Sequence, residues 1–389
     1  MQPPENNATQ TEEPIDNKPV TLIVWVPDDF ALNSGEQVQK LLIDRLDAFE
    51  IDHPGISIDL RFKNVKQKES MMDLLNTANR VAPSILPDVI LLNRSDMETA
   101  ALKGLLVPFD NFPAGAEIKG IFPGFEDPGK LQGSIFGVPA AGDGLFVIDK
   151  KFNGEQLPAW KDILSSSLKI GSNLNDPNAT VFIALYLSAG GELTDENGKP
   201  HLDQAIFTQM LTFIREARIQ SAFPDWSLLA SDWTEVSKRF ENGESDMEIN
   251  WYSSTPKNGL DPYTYHALPG LSDSSASIIS GWYWSIANPS PARPSNRVEL
   301  LSFLSQPVFA SQWSNIAGYL PVSNQDWPII GSSSTTMQSV LNSAKPLPDI
   351  SIMITVGPVI RDAAIRAYTT SDNIDEIAAS AIARINQDK

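Results

Sequence analysis

The sequence contains no cysteine. That excludes disulfides, zinc–thiolate sites and thiol nucleophiles together, and it is compatible with either redox compartment. Histidine is nearly as scarce. The three, His53, His201 and His266, stand far apart along 389 residues. Each reads as a structural or surface residue, so His-based triads and redox-metal sites have little support, and no metal or cofactor is expected. No apolar run approaches the roughly 18–20 residues that span a bilayer. The longest, Val181–Leu187 (VFIALYL), reads as a buried helix. Basic patches are lacking as well, since Lys150-Lys151 and Lys238-Arg239 are only doublets. With a formal net charge of −19 the surface repels phosphate backbones, and no nucleic-acid partner is expected. Walker-type phosphate loops, GxSxG and HExxH are missing too. Asp28-Asp29 and Asp143 are conceivable as a glycosidase pair, but nothing in the sequence fixes their separation.

What is present describes a globular protein of two domains. Hydrophobic residues make up 42% and charged residues 20% of the chain, a composition that folds. Its length fits two domains of roughly 150–200 residues each. The exception is residues 1–19 (MQPPENNATQTEEPIDNKP), with Ile15 as the one large aliphatic residue. Such a segment buries too little surface to fold, and it reads as a tether between an anchor and a folded body.

The body begins at Val20. Val20–Val26 is a β-branched apolar run and predicts a strand buried on both faces. Ser34 with Gln37 has capping-box form, and Val38, Leu41, Leu42, Leu46 and Phe49 follow at helical spacing. Ile56–Phe62 alternates with period two, a half-buried strand. A helix over about 67–79, a buried strand Asp88–Leu92 and a helix Ser95–Lys103 complete a βαβαβα order. That order implies a parallel sheet with helices on both faces, and ligands bind beyond the carboxyl ends of such strands. Here those ends are Asp28-Asp29 and Asn93-Arg94. Two short strands, Ile135–Pro139 and Leu145–Ile148, flank Ala140–Gly144 and read as the first crossing between domains. Helices follow at about 159–167, 178–189, 204–218 and 232–241, then strands at 244–251, 263–268 and 282–287. Further helices are expected at 296–304, 357–368 and 374–385.

Nine tryptophans are many, and some cluster. Trp251-Tyr252 ends one predicted strand and Trp282-Tyr283-Trp284 opens another. A strand places Trp282 and Trp284 on one face and Tyr283 on the other. Aromatic faces suit the apolar faces of sugar rings, at about 1 kcal/mol per contact. Trp160, Trp226, Trp233, Trp313 and Trp327 are assigned to domain cores or interfaces.

The order of motifs resembles the family 1 extracellular solute-binding proteins of ABC importers, the maltose-binding-protein-like group, from Val20 to the C-terminus. Thr21–Asp29 (TLIVWVPDD) is similar to the family's first strand and ligand loop, and Phe49–Ile58 (FEIDHPGISI) to its helix–strand junction. Pro87–Leu92 (PDVILL) and Gly104–Phe109 (GLLVPF) resemble the next strand and its sequel. Phe136–Asp143 (FGVPAAGD) resembles the hinge entry, Phe240–Met247 (FENGESDM) a strand lead-in, and Gly318–Pro321 (GYLP) the return. The resemblance implies an α/β fold of the type II periplasmic-binding-protein kind. Its two lobes, each a mostly parallel sheet with flanking helices, are expected at 20–141 plus 270–321 and at 142–269 plus 322–389, with a hinge between them.

The resemblance also implies a protein that captures a solute by closing its lobes and performs no catalysis. Asp29 would bind hydroxyls, with Asp28 beside it where many members differ. Asp143 would be an acid just past the hinge proline, and Asn93 and Arg94 would sit at the first lobe's lip. Trp251 would stack, and Trp282 lies in a strand that offers an aromatic after a glycine. The absence of an aromatic in Ile352–Val359 points to a mono- or short oligosaccharide. A glycerol phosphodiester is the alternative solute, for which Arg94 and Arg361 are the candidate cations. A glycosidase or lyase on the same ligand, or an adhesion scaffold, are the rival classes. The implied partners are a small-molecule ligand and membrane permease subunits. The implied setting is an exported, lipid-anchored monomer.

Overall fold

The structure, a computed structural model, describes residues 20–32, 35–65, 70–110, 120–126, 129–150, 157, 159–256, 263–271, 277–287, 294–325, 327–329 and 334–387. The expected tether 1–19 and the expected cap Ser34 lie outside the described residues.

β1 (Val20–Pro27) is followed by α1 (Glu36–Asp52), β2 (Ile56–Lys63), α2 (Met71–Val81), β3 (Val89–Asn93) and α3 (Arg94–Leu102). β1 pairs in parallel with β2 from Val20/Ile56 to Pro27/Lys63, and with β3 on its other side. Alternation along β1 sends Leu22, Val24 and Val26 into one cluster with Val38, Leu42, Leu46 and Phe49 of α1. Trp25 goes to the opposite face, with Leu75 of α2 and Met97 and Ala100 of α3. Each such fully buried aliphatic side chain contributes about 1.5–3 kcal/mol. Ser70 and Asp73 form a reciprocal capping box on α2, and Asn93 caps α3 by accepting from the Asp96 N–H at 2.9 Å. Asp88, just before β3, ties the layer together. It accepts from the Ile23 N–H and from Arg297 Nε, each at 2.9 Å, and is itself buried.

The chain then enters β4 (Val138–Asp149), passes β5 (Ile170–Gly171), α4 (Thr180–Ser188), α5 (Gln204–Ile219) and α6 (Trp233–Glu241), and returns through β6 (Met247–Trp251), β7 (Thr264–His266) and β8 (Ile278–Ile286). The last part is helical: α7 (Pro294–Leu304), α8 (Pro307–Ile316), α9 (Ser334–Ser343), α10 (Ile350–Thr369) and α11 (Ile374–Gln387). The sheet order is β2-β1-β3-β8-β4-β6-β5, with β7 also on β4. Pairing is parallel within β2-β1-β3 and between β6 and β5. β8 and β4 run antiparallel to their neighbours and join the two parallel parts. A second large core packs Val147 and Ile249 against Ile183, Met210, Val356 and Ile377 of the surrounding helices. A third cluster, around Phe125, Phe146, Phe240, Leu320 and Met337, lies where the two parts meet.

Two expectations need correction. Ala140–Gly144 is no loop between two strands but part of one 12-residue strand. Its glycines are paired, not turning: Gly142 donates to the Leu320 carbonyl at 2.7 Å, accepts from the Leu320 N–H at 2.8 Å, and lies opposite Gly281. A Cβ at Gly142 would meet Phe125 at 2.6 Å, so this close approach needs glycine. The helix expected from Gly357 starts at Ile350 and carries Pro358 inside it. Pro358 reads as a helix start because it has no N–H. Burial of Ile352, Met353, Val356, Val359 and Ile360 at helical spacing outweighs the one lost bond.

Candidate ligand-binding site

The second and first parts of the sheet enclose a cavity of about 480 Å³. Its floor is made by the joining strands, through Asp143 of β4 and Ser280, Gly281 and Trp282 of β8. Asp143 accepts from the Gly144 N–H at 2.9 Å, the Ser253 N–H at 3.1 Å and the Ser253 hydroxyl at 2.5 Å. These bonds fix its carboxylate and the turn Tyr252–Ser254 that follows β6.

Trp282 meets Phe30 edge-on at 5.3 Å and Tyr319 at 6.0 Å, and its indole N–H bonds the Tyr319 hydroxyl. Behind it, Tyr319, Phe30 and Trp313 stack at 4.8 and 4.7 Å between centroids. Burial pushes the Tyr319 hydroxyl well above its ordinary pKa, and the Asp143 and Asp29 carboxylates add to the shift. It therefore stays a neutral hydroxyl at the edge of the cavity.

The second lobe's wall is aromatic. Trp251 ends β6, Trp233 opens α6, and their rings stand edge to face at 6.5 Å and 81°. Buried Asn250 holds both. Its Oδ1 accepts from the Trp251 N–H at 2.8 Å, and its Nδ2 donates to the Trp233 carbonyl at 3.0 Å. Asp232 caps α6 by accepting from the Glu235 N–H at 2.8 Å and also lines the cavity. Among the described lining residues, three carboxylates (Glu98, Asp143, Asp232) accompany one guanidinium, Arg94.

Of the residues proposed from sequence, Asn93, Arg94, Asp143, Trp251 and Trp282 come together around this cavity. Arg94 arrives already engaged: Nε bonds Glu98 at 2.7 Å, Nη2 bonds Asp349 at 2.5 Å, and Nη1 donates to the Leu347 carbonyl. Asp28 and Asp29 are not among the lining residues. Asp28 accepts from Asn64 at 2.9 Å, and Asp29 opens the short helix Asp29–Leu32 that places Phe30 behind Trp282. Tyr252, Tyr283 and Trp284 are corrections. Tyr252 packs on Tyr265 at 5.3 Å in the third cluster, and Trp284 stacks on Trp313 at 5.8 Å. Tyr283 and Trp284 are fully buried because β8 is a central strand with a packed layer on each face. The alternation expected along that strand holds, but only Trp282 reaches the cavity. Arg361 is a further correction. It lies eight residues past Met353, about 12 Å along α10 from the helix's cavity end.

Sequence reasoning assigns Trp233 to a domain core or interface, with no role toward a ligand; the structure packs it against the second core and also puts it on the cavity wall. It shares a helical stripe with buried Val236, Ser237 and Phe240. Only its position at the first turn, at the edge of the core, distinguishes it. Sequence reasoning also misses Tyr319, Asn178, Asp232, Ser253 and Glu98. Tyr319 carries a signal, since GYLP is one of the motifs singled out.

A cleft floored by strands that run between two lobes and walled from both defines a protein that encloses its ligand. The family model for bacterial extracellular solute-binding proteins matches residues 44–325, and the chain belongs to that family. It is a binding protein and not an enzyme. The fold is that of solved sugar-binding proteins. The MalE protein of Xanthomonas citri has a TM-score of 0.76 at 19% identity, covering 95% of this chain and 97% of that one. Maltose-bound MalE3 of T. maritima gives 0.74 at 18%, covering 95% and 100%. The GacH receptor of Streptomyces glaucescens, solved with acarbose, gives 0.73 at 18%, covering 94% and 97%. No curated protein sequence matches the chain significantly.

Proposed function

We propose that the protein is the substrate-binding component of an ABC importer and captures a neutral mono- or short oligosaccharide. One observation carries this: Trp233, Trp251 and Trp282 share one cavity with the carboxylates of Asp143 and Asp232. Rings offer flat apolar faces to a pyranose, and carboxylates accept from its hydroxyls. The names of similar solved structures, bound to maltose or acarbose, support the same ligand class. The charge of the lining disfavours the phosphodiester alternative, because Arg94 is already shared between Glu98 and Asp349. Lobe boundaries at 20–141 plus 270–321 and 142–269 plus 322–389, a permease partner and a lipid-anchored location complete the reading. The folding-poor composition of residues 1–19 supports the tether.

A thermal-shift panel of neutral, phosphorylated and acidic mono- and oligosaccharides tests it. At least one neutral sugar should raise Tm, since a ligand at 100 times its Kd stabilises by about 2.7 kcal/mol. Shifts with anionic sugars alone, or with none, would overturn the assignment.

A further inference from the structure

Arg94 and Glu98 form a bridge between the lobes, and its position bears on which saccharides fit. α3, which carries both residues, packs through Met97 and Ala100 into the first lobe's core. α10 packs through Met353 and Val356 into the second lobe's core. The two helices meet through polar groups. Arg94 Nε and Nη2 bond Glu98 and Asp349 at 2.7 and 2.5 Å, its Nη1 donates to the Leu347 carbonyl, and Glu98 Oε2 accepts from the Ile350 N–H at 2.6 Å. The Ile350 N–H is one of the orphan donors that every helix start leaves, and Asp349, the N-cap residue, makes no side-chain cap bond. Glu98 of the other lobe takes that place, a carboxylate at the positive end of a helix. Arg94 is 7% exposed and Glu98 1%. Separating them from α10 would leave buried charge without its partners, which is strongly unfavourable.

Arg94, Glu98, Leu347, Pro348 and Ile350 all face the cavity. We propose that this bridge is an end wall of the cleft and sets the upper length of saccharide that the protein accepts. The inference rests on the saccharide reading above. On the α3–α10 side a longer chain has no exit unless the ion pairs and the Glu98 cap break. The floor and the Trp233–Trp251 wall line two further sides of the cavity.

Calorimetric titration of two homologous series, glucose to maltotetraose and xylose to xylotetraose, tests this. The wild type should bind one or more short members and lose at least tenfold in affinity at the tetrasaccharide. The double variant Arg94→Met with Glu98→Gln removes both charges together and so leaves neither stranded. It should recover most of that tenfold loss, read as the ratio of tetrasaccharide to short-member affinity within the same variant, so that the ratio rises toward one even if affinity for every member changes. Asp349→Ala, at a side chain 57% exposed, removes one leg of the bridge without disturbing a core and should recover part of it. Equal affinity of the wild type for short and tetrameric members would overturn the end wall and leave the saccharide reading standing. So would an unchanged length preference in both variants when circular dichroism shows them folded. No binding by any member of either series would overturn both.

Discussion

Asn250 fastens Trp251 to Trp233 across 18 residues of chain, accepting from one backbone at 2.8 Å and donating to the other at 3.0 Å. The same amide nitrogen also lies 2.9 Å from Glu248 and 3.0 Å from the Ser237 hydroxyl, and all three polar residues are buried. The angle between the two indoles is therefore set from behind by a polar network, not by contact of the rings alone. Replacing Asn250 with Ala should weaken binding of the best saccharide by about tenfold, or about 1.4 kcal/mol. Tm should fall as well, because the Trp251 N–H and the Glu248 carboxylate lose a partner. Titration calorimetry beside a melting curve separates the two effects. Unchanged affinity would show that the corner holds its shape without Asn250.

Two tryptophans should separate binding from stability. Trp313 is fully buried in a stack of aromatic rings, and Trp313→Ala should cost about 3–5 kcal/mol of folding stability. Trp251 is half-buried on the cavity wall, so Trp251→Ala should change stability less and reduce affinity at least tenfold. Denaturant melts and ligand titrations of both variants check this. A Trp251→Ala protein with wild-type affinity would remove the aromatic wall from the site.

Glu235 makes a pH prediction. The backbone N–H of Ser231 holds its carboxylate down to a pKa of about 2, helped by the Ser231 hydroxyl and Arg239. A depressed carboxylate stabilises the fold above its unfolded pKa, about 4.3. That contribution is lost as pH falls through about 2. Glu235→Gln should therefore be less stable than wild type at neutral pH, with the difference shrinking between about pH 4 and pH 2. Melting curves of both proteins across that range check this, and a gap that widened with acid would contradict it.

Gly142 is the narrowest point of the joining strands. Gly142→Ala should destabilise by about 1–3 kcal/mol, since the methyl group meets the Phe125 ring, which is buried in the third cluster and has to shift to admit it. The compensating change Phe125→Leu should recover part of the loss. Thermal melts of the single and double variants test the coupling.

The first lobe is the most legible part of the sequence. Val20–Val26 carries enough β-branched residues, and α1 enough spaced leucines, for local pattern and tertiary burial to agree there. Agreement fails where backbone chemistry and packing pull apart. Gly142 and Gly144 look like a turn because glycine frees the backbone, yet they sit in a strand because Phe125 and Phe146 leave no room for a side chain. Pro358 looks like a helix start, yet a buried stripe carries the helix through it. The site is half legible. Trp251 and Trp282 lie in or at the ends of strands, where the strand pattern leads to them, whereas Asp143 is reached through the resemblance of FGVPAAGD to the hinge entry. The same pattern leads to Tyr283, whose residue type suits a sugar but which lies fully buried in a packed layer. Glu98 and Tyr319 enter the cavity from elements far apart in the chain; the GYLP motif marks Tyr319, and no local spacing announces Glu98.

Asp143 and Trp282 belong to the strands that run between the lobes, whereas Trp233, Asp232 and Glu98 belong to helices on one side or the other. Contacts on the joining strands lie near the axis of any lobe rotation and change little as the cleft opens. Contacts carried by the outer helices sweep through the largest arc. Substitutions on the floor should therefore act on how fast a solute is first held, and substitutions on the helices on how long it stays. On that geometry the two halves of the site would divide the kinetics between them, entry read by the fulcrum and residence by the rim.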